Sequence, residues 1–97
     1  MQLTVTFKNL DPSESIKTYL QDKLDRLDKL LHKPGTADAV LRIEKVRNIV
    51  EINLLADRLD IHAKEENTDM FAAIDLVIDK VKKQLVRSKE KIQEHRP

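Results

Sequence analysis

The chain has 97 residues, 40% of them hydrophobic and 36% charged, with one Gly and no Cys; that suffices for one modest core and leaves no room for a second. Disulfides, thiolate metal sites and thiol nucleophiles are excluded, and with neither a signal-like N-terminus nor a run of about eighteen apolar residues the expectation is a cytoplasmic protein with no membrane contact. The net charge of +1 conceals a polar molecule, because Lys80 to Pro97 holds seven basic against two acidic residues, a local +5, while the remainder is −4.

Leu3, Val5 and Phe7 alternate with Thr4, Thr6 and Lys8, which predicts a strand over about 2–8 with one buried face. Asp11-Pro12-Ser13-Glu14 then reads as a helix start. Asp11 is the expected cap, Pro12 takes the first helical position, and Glu14 reaches back three residues later. Ile16, Tyr19, Leu20, Leu24, Leu27, Leu30 and Leu31 share one helical face over about 12–32, until Lys33-Pro34-Gly35 ends it. Lys23 falls inside that leucine arc. Either its stem lies along apolar surface with the ammonium in water, or Lys23 and Arg26 mark a phosphate-binding edge.

From Ala37 to Lys64 the period switches to two, predicting strands over about 38–46, 49–56 and 59–65. The breaks at Arg47-Asn48 and Ala56-Asp57-Arg58 are short enough only for hairpins, so these strands form an antiparallel meander. Asn67 and Thr68 cap a last helix over about 69–94, in which Met70, Phe71, Ile74, Val77, Ile78, Val81, Leu85 and Ile92 share a face. The fold class is therefore α+β, in the order β-α-β-β-β-α. Both helices cover one face of a four-stranded mixed sheet, with Asp60, His62 and Lys64 on the other.

Most candidate chemistries fail. His32, His62 and His95 lie on separate elements without metal-ligand spacing. Asp22, Asp25 and Asp28 interleave with Lys17, Lys29 and Lys33 as a salt-bridged face rather than a catalytic pair. Ser13, Ser15 and Ser88 have no activating histidine on their elements, and Gly35 alone makes no phosphate-cradling loop. The expectation is no catalytic residue, no metal, no cofactor and no small-molecule substrate. The basic signal alone has direction: Lys80, Lys83, Arg87 and Lys91 form a stripe on the last helix, Lys23 and Arg26 lie on the first, and Lys45 and Arg47 sit at the first hairpin. Such cations suit phosphates, each displacing condensed counterions. Tyr19, Phe7 and Phe71 are all assigned to the core, leaving none to stack on bases; that favours structured RNA over single strands. An ordinary solvated helix remains the competing reading of the charge pattern.

The runs RIEKV (Arg42 to Val46), IHA (Ile61 to Ala63) and DMFAAIDLVIDKVKKQL (Asp69 to Leu85), followed by Arg87, Lys89 and Lys91, resemble the bacterial ribosome hibernation promoting factors and ribosome-associated inhibitors, a family also described as modulators of the nitrogen sigma factor. The resemblance spans nearly the whole chain and matches the short form. It implies a fold like an extended double-stranded-RNA-binding domain, and binding to rRNA of the small ribosomal subunit in the mRNA and tRNA decoding channel. It places the family's basic positions on Lys23 and Arg26, and on Lys80, Lys83, Arg87, Lys89 and Lys91. Short-form relatives act with a separate ribosome modulation factor, and the isolated chain is expected to be monomeric. Two features depart from the pattern: Phe71 stands where the family often has Tyr, and Glu65-Glu66 adds negative charge beside the last helix. The alternative reading is a protein-interaction module whose basic helix docks an acidic partner such as a sigma factor.

Overall fold

Alternation of apolar and polar residues becomes a sheet whose two faces have separate jobs. The computed structural model describes the backbone of residues 1–94 and the side chains of residues 1–90. Strands β1 (Gln2–Lys8), β2 (Thr36–Glu44), β3 (Arg47–Ala56) and β4 (Leu59–Asn67) lie side by side in that order. β1 runs parallel to β2 through helix α1 (Glu14–Asp25), and the other neighbours are antiparallel hairpins. Helix α2 (Met70–Glu94) follows β4. The register aligns Val5, Ala39, Ile52 and Ala63 beneath the helices, and Thr4, Asp38, Asn53 and His62 on the open face.

The core lies between helices and sheet. Leu20 and Leu24 of α1 and Ala73, Ile74, Val77, Val81 and Leu85 of α2 are fully buried against Leu41, Val50, Ile52 and Leu54. Each large aliphatic side chain so buried contributes about 1.5–3 kcal/mol. On the open face Arg42 faces Glu44 at 3.4 Å and Glu51 at 3.8 Å, and His62 faces Glu51 at 3.5 Å, so that surface is laced with opposite charges. The β4 margin is covered by α2. Lys80 Nζ donates to the Lys64 carbonyl at 3.3 Å and Gln84 Nε2 to the His62 carbonyl at 3.1 Å.

Several local expectations are corrected. Ser13, not Asp11, caps α1, its extended backbone (φ −130°) placing Oγ to accept the Ile16 N–H at 3.3 Å. The α-helix ends at Asp25 and tightens into a 3-10 helix over Arg26–Leu30. Three residues per turn keep Leu24, Leu27 and Leu30 on one line toward the core. The first hairpin turns at Lys45-Val46, two residues earlier than expected, with Lys45 in the left-handed region (φ 57°). Asn48, which had marked that turn, instead donates from Nδ2 to the Thr68 carbonyl at 2.8 Å. Asp25 and Asp28 hold the Met1 amino group at 3.1 and 2.8 Å rather than the lysines of their own helix. Gly35 is no helix cap. It is buried, its φ is not positive, and a Cβ there would lie 2.9 Å from Ala56 Cβ and 3.1 Å from the Leu55 carbonyl.

Candidate nucleic-acid interface

The helix layer is the surface on which most of the expected basic residues fall, and α2 sorts them by rotation. At about 100° per residue, Phe71, Asp75 and Lys82 follow one another on the flank toward α1, whereas Lys80, Lys83 and Arg87 occupy the flank toward β4. Contacts agree: Asp75 meets Tyr19 and Lys23 of α1, and Lys80 meets Glu65 and the Lys64 carbonyl of β4. The outer ridge between the flanks carries Asp79 and Val86.

The seam between the helices is the most organised part. The Tyr19 hydroxyl donates to Asp75 Oδ1 at 2.6 Å, and Lys23 Nζ lies 3.8 Å from that same oxygen. Lys23 also sits over the Tyr19 ring, 5.2 Å from its centroid, where the π face attracts a cation. This explains a lysine within the leucine arc: its stem runs along the seam and its charge is met by a ring face and a carboxylate. Phe71 meets the Tyr19 ring edge-on, with centroids 5.0 Å apart and planes at 90°. Phe71 is 38% exposed, so the expectation that it belongs to the core is corrected. The hydrogen bond to Asp75, with burial adding to it, raises the Tyr19 pKa above the ordinary phenol value despite the opposing charge of nearby Arg26. Tyr19 is therefore a protonated donor at neutral pH.

The other expected residues are mostly paired with the chain's own acids. Lys83 meets Asp79 at 3.0 Å, Lys80 meets Glu65 at 4.0 Å, and the Arg47 guanidinium pairs with Glu66. Glu65 and Glu66, the departure noted in the sequence, thus neutralise cations at the β4 margin. Lys89 meets Asp57 of the β3–β4 turn at 2.9 Å with only 27% of its side chain exposed. It stands apart from Lys80, Lys83 and Arg87. Among the described residues Arg26, Lys45 and Arg87 make no ion pair, and the side chain of Lys91 lies outside the described residues. Asp75 was missed as a site member because its proximity to Tyr19 and Lys23 depends on how α2 is rotated, and Tyr19 because it was assigned to the core. No group of three or more His, Cys, Asp or Glu able to hold a metal occurs among the described residues. No helix among them is long and apolar enough to cross a membrane.

A mixed four-stranded sheet under two helices defines a small α+β domain of the β-α-β-β-β-α class. The chain belongs to the Sigma 54 modulation protein / S30EA ribosomal protein family, whose sequence model matches residues 3–93. It is 36% identical over 95 residues to a ribosome hibernation promoting factor of Salmonella typhimurium, covering 98% of this chain and all of the relative. It is 34% identical, with the same coverage, to the protein of that name from Escherichia coli K12. The N-terminal domain of Thermus thermophilus Protein Y superposes with a TM-score of 0.86 at 28% identity, covering 90% of this chain and 98% of that one. A ribosomal subunit interface protein from Coxiella burnetii shares the fold, with a TM-score of 0.81 at 24% identity over 93% of this chain and 99% of its own. As a member of this family the chain is a binding protein and not an enzyme.

Proposed function

We propose that this protein is a ribosome hibernation factor that binds the small ribosomal subunit in the mRNA and tRNA decoding channel through rRNA phosphates, inhibiting translation and preserving idle ribosomes. The observation that carries this reading is the end-to-end match to relatives named ribosome hibernation promoting factor. The structure supports it with cations on the helix layer and at the Lys45 hairpin, and with no ion partner for Arg26, Lys45 or Arg87 among the described residues. Phosphates would be met first by these three, then by Lys23, Lys80 and Lys83, and by Arg47, whose acid partners must yield. The block is steric: a rigid domain held in the channel excludes messenger and tRNA without chemistry. A ribosome modulation factor acting alongside follows the short-form relatives.

The test is cosedimentation with purified small subunits across a salt series. Binding weakens steeply with salt, as counterion release requires, and the Lys83→Glu/Arg87→Glu double variant, folded as judged by circular dichroism, binds at least about tenfold more weakly. Unchanged binding by that variant overturns the reading. The family's description as a sigma 54 modulation protein favours docking of an acidic protein partner as a second reading. In that case sigma factor is retained by the immobilised chain and small subunits are not.

A further inference from the structure

We propose that the Asp75 carboxylate occupies, in the free protein, the place of an RNA phosphate, and that binding exchanges one anion for the other at a site built by Tyr19 and Lys23. This inference rests on the rRNA-binding reading above and assigns to Asp75 the control of which anions enter the seam.

One carboxylate oxygen takes a hydrogen bond from the hydroxyl and an ion pair from the ammonium. Asp75 Oδ1 accepts the Tyr19 hydroxyl at 2.6 Å and lies 3.8 Å from Lys23 Nζ, a hydroxyl and an ammonium on one anionic oxygen, as a phosphate oxygen would engage them. The donors are fixed and the acid is not. Tyr19 is braced edge-on by Phe71, and Lys23 is pinned over the Tyr19 ring with 29% of its side chain exposed. Asp75 is 53% exposed and open to solvent. Its side chain has two torsions and can swing into water, whereas moving the Tyr19 ring would break the aromatic contact.

Occupancy by an internal acid changes what the seam selects. An open cluster of cations binds any polyanion, including flexible single strands, because counterion release is indifferent to shape. A cluster already neutralised releases less and repels a loosely held phosphate. It is opened only by a phosphate that other contacts hold in place, as folded RNA docked along α2 would. Asp75 thus lowers affinity for wrong partners more than for the right one, a repulsive element of the kind on which discrimination depends. The exposed pair Lys83–Asp79 has no comparable bracing and is worth little either way.

The experiment measures binding of the full chain to purified small ribosomal subunits and, separately, to poly(uridylic acid), for the parent, Asp75→Asn, Tyr19→Phe/Asp75→Asn and Arg87→Glu, with thermal midpoints for each. Asparagine keeps an oxygen for the Tyr19 hydroxyl, so the seam retains its shape. The expected result is that Asp75→Asn tightens small-subunit binding about three- to tenfold at low salt and poly(uridylic acid) binding by more. Adding Tyr19→Phe reverses much of the gain. If Asp75→Asn leaves small-subunit binding unchanged, or weakens it in step with a lower thermal midpoint, Asp75 is only a brace between helices and the proposal is overturned. Arg87→Glu separates the two failures. Weakened binding in that variant leaves the rRNA-binding reading standing while the exchange falls; unchanged binding removes both.

Discussion

Lys89 and Asp57 meet at 2.9 Å, tying the later turns of α2 to the β3–β4 hairpin 32 residues away in sequence. Asp57 also accepts the His32 backbone N–H with both oxygens, at 3.2 and 3.0 Å, so one carboxylate joins the exit of the 3-10 helix, a hairpin and α2. The His32 N–H first, and Lys89 second, hold its carboxyl below the usual aspartate range. A depressed folded pKa stabilises fully above the unfolded aspartate's value, and that contribution fades as pH falls through the lower folded one. Asp57→Asn, whose side chain tolerates the positive φ of 49° at this turn, is expected to lower the thermal midpoint at neutral pH. The gap from the parent should begin to close below about pH 4 and go on closing as pH falls through the lower folded value; a gap constant with pH would refute the electrostatic account.

Lys89 and Arg87, two residues apart, should respond in opposite ways. Lys89 is partly covered and paired, whereas Arg87 is exposed and makes no ion pair among the described residues. Lys89→Ala is expected to lower the denaturation midpoint and leave the salt dependence of small-subunit binding unchanged. Arg87→Ala is expected to do the reverse, reducing the logarithmic salt slope by about one. Parallel urea melts and salt titrations decide, and a slope reduced equally by both would refute the assignment.

Gly35 is held by space rather than by backbone torsion. A Cβ would press on Ala56 Cβ at 2.9 Å and on Leu54 Cδ1 and the Leu55 carbonyl at 3.1 Å each. The carbonyl belongs to the sheet and cannot yield, while Gly35 itself accepts the Gln2 N–H at 3.0 Å. Gly35→Ala is expected to cost about 1–3 kcal/mol, as overpacking does, read as a lower urea midpoint at unchanged slope. A neutral result would mean the β1–β2 junction shifts freely.

Phe71→Tyr tests whether the seam accepts the residue that the family often carries. With the ring already 38% exposed, a hydroxyl can reach water, and the stability change should stay within about 0.5 kcal/mol. Loss of several times that amount would show the ring edge to be enclosed.

The sheet and the two helices were legible because periods of two and 3.6 survive in a chain with one buried face per element. Tertiary geometry decided the rest. Both Asp11 and Ser13 can cap a helix, and the sequence does not show that the backbone at Ser13 extends to bring Oγ onto Ile16. Without a glycine at the first hairpin, Asn48 drew the turn toward itself, although Lys45 takes the left-handed position. The cations were found by type and spacing, but their acid partners were not. Tyr19 and Asp75 are 56 residues apart, and no local pattern carries the rotation of α2 that joins them. Phe71 was misassigned for the same reason, since at the margin of an apolar stripe a few tens of degrees separate core from surface.

Along β4 the outward carbonyls of Lys64 and His62 already accept Lys80 Nζ and Gln84 Nε2, respectively. A strand approaching that margin therefore meets α2 side chains at two of the acceptors it would need. Edge-to-edge pairing there must first displace Lys80 and Gln84.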